Sequence, residues 1–155
     1  MDGDEITADD PRASDIQDLL ARHLEFARSV TPPEHVYALD VDGLLDPAVT
    51  FFSFRRGGEL LAVGALKQLD AGHAELKSMR TAAHARGRGI GRALVAHLIG
   101  VARERGCSRV SLETGSMPAF GPARALYASA GFSPCGPFGD YPPSPTSSFM
   151  TLPLS

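Results

Sequence analysis

Apolar residues recur along the first half of the chain at two different periods, and the change from one to the other marks out the elements. Ile16, Leu19, Leu20, Leu24 and Ala27 fall at helical spacing and give a single apolar face. Ser14-Asp15-Ile16-Gln17 has the form of a capping box, so the pattern predicts a helix that begins at Ser14 and stops at Thr31-Pro32-Pro33. Residues 4 to 8 can form a short strand ahead of it, and residues 31 to 48 read as irregular. Val49-Thr50-Phe51-Phe52-Ser53-Phe54 and Leu60-Leu61-Ala62-Val63-Gly64-Ala65-Leu66 then flank Arg55-Arg56-Gly57-Gly58, the sequence form of a β-hairpin. A third strand follows at about 73 to 81.

In the second half, Ile90, Leu94, Leu98 and Val101 share one side of a helix over residues 90 to 105, with Gly106 just past its end. Arg109-Val110-Ser111-Leu112-Glu113 reads as a strand. Strand, helix and strand in that order normally make a parallel crossover. Pro122 and Gly131 bracket a short helix, placed where a first-turn proline and a terminal glycine are favoured. Phe132 begins another strand, residues 133 to 146 are rich in proline with Phe138 and Tyr141 among them, and residues 148 to 154 can close the sheet.

A length of 155 residues with 43% hydrophobic content fits one domain over residues 1 to 155. The net charge of -3 gives no global attraction to nucleic acid or to anionic membranes, so neither is expected as a partner. Basic residues nevertheless concentrate between Lys77 and Arg105. No apolar run approaches the roughly 20 residues that span a bilayer, and the acidic amino terminus (Asp2, Asp4, Glu5) is unlike a signal peptide, which together suggest a cytoplasmic protein. His23, His35, His73, His84 and His97 show no paired ligand spacing, and Cys107 and Cys135 match no metal motif, so no metal site and two free thiols are expected.

The chemistry concentrates in Arg86-Gly87-Arg88-Gly89-Ile90-Gly91-Arg92, which follows a strand and opens a helix. Glycines let the backbone approach a ligand closely, the first helical turn leaves N–H groups unpaired, and three arginines add charge-assisted donors. That combination suits a di- or triphosphate ester. A Walker A loop would need a Gly-Lys-Ser/Thr ending, and a dinucleotide fingerprint would need a third glycine where Arg92 stands.

What remains is the pattern Arg/Gln-x-x-Gly-x-Gly/Ala, filled by Arg86, Gly89 and Gly91, and here the chain resembles the GNAT acetyltransferases. Glu75-Leu76-Lys77-Ser78-Met79-Arg80-Thr81 looks like that family's fourth strand, and Ala125-Leu126-Tyr127 with Gly131-Phe132 looks like its Leu-Tyr-x-x-x-Gly-Phe signature. The resemblance covers roughly residues 60 to 154. It implies an α/β fold with a mixed, mostly antiparallel sheet of six or seven strands flanked by helices, in which parallel strands 4 and 5 splay apart. It implies acetyl-CoA as acyl donor, with the backbone of Met79, Arg80 and Thr81 pairing with the pantetheine arm. The amides of Arg86, Gly87, Arg88, Gly89, Ile90, Gly91 and Arg92 would cradle the pyrophosphate, and Ala123 would leave room beside the arm.

Direct attack by an amine needs a base, because a free alkyl amine is mostly protonated at pH 7. By the resemblance Glu75 is the leading candidate, with Glu113 as an amine-binding carboxylate or second base. Tyr127 is the expected proton donor to the departing thiolate. Phe138 and Tyr141 would shape the acceptor pocket. The family's frequent asparagine near this helix start is replaced by Phe120-Gly121-Pro122.

The expected reaction is acetyl transfer to a primary amine of a small molecule or amino acid in a ternary complex. A non-catalytic acyl-CoA-binding or sensing module and a nucleotide-binding regulator stay open beside it. Glu75 can also be read as a rim carboxylate paired with Lys77 or Arg80, and Tyr127 as a core aromatic. A monomer and an edge-paired homodimer both suit this composition.

Overall fold

The computed structural model describes residues 4–30 and 41–154. Seven strands form one sheet: β1 (Asp4–Ala8), β2 (Val49–Arg56), β3 (Glu59–Asp70), β4 (His73–Thr81), β5 (Arg109–Gly115), β6 (Ser133–Cys135) and β7 (Ser147–Pro153). Their spatial order is β1-β2-β3-β4-β5-β7-β6. All neighbours are antiparallel except β4 and β5, which run parallel. Among the described residues the helices are α1 (Ser14–Val30), α2 (Val41–Leu44), α3 (Ile90–Glu104) and α4 (Gly121–Ser129).

Parallel strands need a long crossover, and α3 supplies it between β4 and β5. Ile90, Leu94, Val95, Leu98, Ile99 and Ala102 of α3 are buried, which is the stripe its spacing predicts. Fully burying one such leucine contributes about 1.5 to 3 kcal/mol, so this face ties the helix to the sheet. On α1, Ile16, Leu19 and Leu20 are buried, while Leu24 and Ala27 of the expected face have side chains outside the described set.

Register decides which β4 side chains share a face. Lys67, Ala65 and Val63 alternate along β3, and they sit opposite Glu75, Lys77 and Arg80. Between Lys77 and Arg80 the strand carries one extra residue, with Ser78 at φ 56, so β4 bulges and yet keeps these three side chains on one face. Met79 points the other way. A Cβ on Gly64 would overlap Met79 Sδ and lie 3.2 Å from Leu98 on α3, so the glycine makes room for the methionine on the α3 face. Arg80 lies instead under Phe26 of α1, its guanidinium 5.5 Å from the ring centre, so α1 and α3 cover opposite faces of β4.

Three local expectations need correction. The stretch 31 to 48 is not irregular throughout, because α2 forms one short turn within it; residues 31–40 lie outside the described set. The expected capping box is absent: Gln17 N donates to Ala13 O, so the first helical bond falls one residue early, and Gln17 Nε2 donates to Arg12 O at 3.1 Å. The strand after Gly131 begins at Ser133, because Phe132 N still donates to Tyr127 O at the end of α4.

Gly64→Ala should force Met79 out of its slot and destabilise the fold by about 1 to 3 kcal/mol, the usual cost of overpacking. A lowered urea midpoint with unchanged slope would show it.

Candidate active site

Hydrogen-bonded pairing between β4 and β5 covers only four positions, from His73 with Arg109 to Leu76 with Leu112. Beyond Leu76 and Leu112 the two strands part, and a cavity of about 880 Å³ opens between them. Lys77, Ser78, Met79, Arg80 and Thr81 form one wall, Glu113, Thr114 and Gly115 the other. Residues from α4, including Ala123, Leu126 and Tyr127, close one side.

The glycine loop forms one end of this cavity. Gly87 and Gly89 hold φ of 78° and 79°, a conformation that other residues adopt only with strain. Gly89 is the N-cap of α3 and provides no side-chain cap, so the first amides of the helix keep their donors for a ligand. A Cβ on Gly91 would lie 3.3 Å from both Leu126 and Thr81 Oγ1, which brings α3 close to α4 and to the end of β4. Arg86, Gly87, Gly89, Ile90, Gly91 and Arg92 all line the cavity; Arg88 does not and is exposed. Arg92 Nη2 donates to Ser129 Oγ at 3.3 Å, whereas Arg86 and Arg88 have no acidic partner among the described residues. An anion arriving here meets unspent charge.

At the other end stand the carboxylates. Glu75 is 3% exposed, and its Oε2 accepts from Tyr141 Oη at 2.5 Å and from Lys77 Nζ at 3.1 Å. Lys77 Nζ in turn donates to Tyr141 Oη at 2.7 Å. The reading of Glu75 as a partner of Lys77 is thus realised, in a buried setting and not on a rim. Glu113 lies on the same sheet face two residues beyond Ser111, the partner of Glu75. Burial pushes the Glu113 carboxyl above its ordinary range, with the nearby Ser147 hydroxyl and then the Lys77 charge working against that rise.

Tyr127 lines the cavity from α4 and is buried, which raises the pKa of its phenol and keeps it protonated. Its hydroxyl has no hydrogen-bond partner among the described residues, and its ring packs edge-on against Phe132 at 6.0 Å. Phe138 and Tyr141 do not line the cavity. They form an aromatic cluster with Phe149 and His73, from which the Tyr141 hydroxyl reaches Glu75.

The sequence reads Lys77 only as a partner of Glu75 and assigns no site role to Phe26, Phe120 or Arg124. Lys77 follows from strand alternation once Glu75 is placed on this face. Phe26 and Phe120, which meet edge-on at 5.3 Å across the cavity wall, carry no local signal, because their meeting depends on how α1 and the segment before α4 pack. Arg124 donates to Gly115 O at 2.6 Å and to Met117 O at 3.0 Å, fastening α4 to the end of β5. Cys107 and Cys135 are free thiols, and no cluster among the described residues could hold a metal ion.

A splayed parallel pair, with a glycine loop opening the crossover helix at its mouth, defines an acyl-CoA-type cleft. The sequence profile described as the acetyltransferase (GNAT) family matches residues 14–132. The chain is 45% identical over 149 residues to the uncharacterized N-acetyltransferase YsnE of Bacillus subtilis (strain 168), a match that covers 96% of this chain and 99% of that protein. It is 43% identical over 149 residues to the uncharacterized N-acetyltransferase YedL of Escherichia coli (strain K12), covering 96% and 94%. A crystal structure described as an acyl-CoA N-acyltransferase from Klebsiella pneumoniae superposes with a TM-score of 0.83 at 29% identity, covering 98% of both chains. The chain belongs to the GNAT acetyltransferase family. It is an acetyl-CoA-dependent N-acetyltransferase.

Gly89→Ala should strain the αL N-cap by about 1 to 2 kcal/mol and turn the loop amides from their aim. Titration calorimetry should then show coenzyme A affinity reduced by about tenfold, with the fold retained.

Proposed function

We propose that the chain transfers the acetyl group of acetyl-CoA directly to a primary amine of a small molecule or amino acid, both substrates being bound together. The observation that carries this reading is one cavity that joins the glycine loop and the first turn of α3 to the buried Glu75, the half-buried Glu113 and the buried Tyr127 phenol. Along β4, residues 77 to 81 have no partner on β5, so their backbone groups can pair with the amides of a pantetheine arm as an added strand would. Met79 and Thr81 turn their side chains toward α3, clear of that edge. Arg86 and Arg92 with the α3 amides fit a pyrophosphate.

The amine nitrogen attacks the thioester carbonyl carbon; a C–N bond forms and the C–S bond breaks. The proton lost by nitrogen goes to a carboxylate, and the Tyr127 phenol gives its proton to the departing sulfur. Glu75 takes the proton in the reading that the family resemblance supports. A second reading gives it to Glu113, and one observation favours it. Glu75 Oε2 already accepts two bonds, whereas Glu113 has a raised pKa and so is closer to the operating pH, as a general base should be. An acetyl-CoA-using enzyme with this composition fits the cytoplasm.

Tyr127→Phe should leave coenzyme A binding measurable while turnover over an amine panel, read as released thiol, falls by about an order of magnitude or more. If no amine is acetylated by the unaltered protein, a sensing role replaces the enzymatic one at this site.

The pH profile separates the two bases. A general base works deprotonated, so kcat/KM is lost as pH falls through its folded pKa. For Glu113 that limb lies above the ordinary carboxylate value of about 4.3. Glu113→Gln should abolish such a limb if Glu113 is the base, whereas Glu75→Gln should lower kcat/KM by about two orders of magnitude and flatten the profile if Glu75 is.

A further inference from the structure

Arg80 is the one β4 cation for which the fold provides no acidic partner among the described residues. Its Nε is buried without a hydrogen-bond partner. Lys77, its neighbour on the same face, is neutralised by Glu75. The charge beside Arg80 is another cation, Arg86, and this repulsion, after burial itself, lowers the Arg80 pKa. Arg80 as a whole is half-buried, but withdrawing its Nε–H from water with no acceptor costs free energy unless something else completes it. Phe26 covers the guanidinium at 5.5 Å and shields it, but a ring face offers no acceptor for the in-plane N–H groups.

The missing acceptor has a direction. Thr81 and Met79 face α3, the helix whose first turn carries the phosphate loop, whereas Arg80 points to the opposite face, toward α1. On that second face stand Glu75 and Glu113, the carboxylates assigned to the acceptor amine, with Lys77 paired to Glu75, and Arg80 lines the same cavity. The acceptor side therefore holds two carboxylates at one end, where Lys77 already offsets Glu75, and an unpaired guanidinium at Arg80.

We infer that the acceptor carries an anionic group, a carboxylate or a phosphate, in addition to its amine, and that the Arg80 guanidinium receives it. Arginine matches either group through two parallel N–H donors, so the interaction fixes orientation as well as affinity. Phe26 holds the guanidinium plane in place. This inference rests on the amine-acetylating reading above and narrows its substrate class. The same guanidinium chemistry could instead meet a phosphate of coenzyme A, since Arg86 is near, and the experiment is arranged to tell the two apart.

Released thiol is measured for matched amines with and without an anion. Amino acids of increasing amine-to-carboxylate spacing are set against their decarboxylated counterparts, and phosphoethanolamine against ethanolamine. The unaltered enzyme should prefer the anionic member of at least one pair by about tenfold or more in kcat/KM, and Arg80→Gln should bring that ratio down by a similar factor, acting mainly through the acceptor KM. Arg80→Lys should recover part of the preference, which a purely structural role would not predict. Equal use of charged and uncharged amines overturns the inference and leaves amine acetylation standing. A rise in the KM for acetyl-CoA that exceeds the change in acceptor KM also overturns it and assigns the guanidinium to a cofactor phosphate. Failure of every amine overturns both readings.

Discussion

Backbone hydrogen bonding between β4 and β5 stops after Leu76 and Leu112, and the site is arranged around the edge that this leaves. Peptide N–H and C=O groups withdrawn from water need partners, so a sheet that parts in its own middle must be wetted there or be completed by a ligand with amides of its own. The pantetheine arm of coenzyme A is such a ligand. The opening is kept in a fixed shape by what surrounds it. The α3 stripe is fully buried against β3 and β4 on one side, and β7 pairs along the whole of β5 on the other. Neither strand can move across to repair the gap without breaking those contacts.

The bulge at Ser78 adds a second constraint. It bends the strand at the start of the unpaired edge while preserving the alternation that sends Met79 and Thr81 to one side and Lys77 and Arg80 to the other. In the proposed reaction, donor and acceptor thus approach from opposite faces of a single strand. On that reading the nine residues of β4 provide the wall of one binding region, the charge of another, and the backbone between them.

Much of this was legible in the sequence, and for identifiable reasons. The buried stripe of α3 and the β2–β3 hairpin depend on periodicity and turn composition, which are local properties. The shape of the glycine loop was equally legible, because Gly87 and Gly89 hold positive φ and such positions are written directly as glycines. Less could be read where meaning depends on contacts between distant segments. Glu75 acquires its partners from Tyr141, 66 residues away, and from Lys77, whose role depends on the register of the sheet. The capping box at Ser14 failed because Asp10 and Arg12 form a tight turn, with Arg12 N bonded to Asp10 Oδ1 at 2.9 Å, and deliver the chain to the helix one residue early. Phe120 could be noticed only as a departure from the family pattern; its packing against Gly115 is a tertiary fact.

The clamp formed by Arg124 on Gly115 O and Met117 O has a mechanical outcome. It joins the carboxyl end of β5 to the helix that carries Tyr127, with Phe120 wedged against Gly115 at the joint. Widening the sheet's opening would carry the phenol outward with the strand, and narrowing it would bring both back. The Tyr127 hydroxyl travels with the far lip of the cleft, so its spacing from that lip stays constant whatever the girth of the guest.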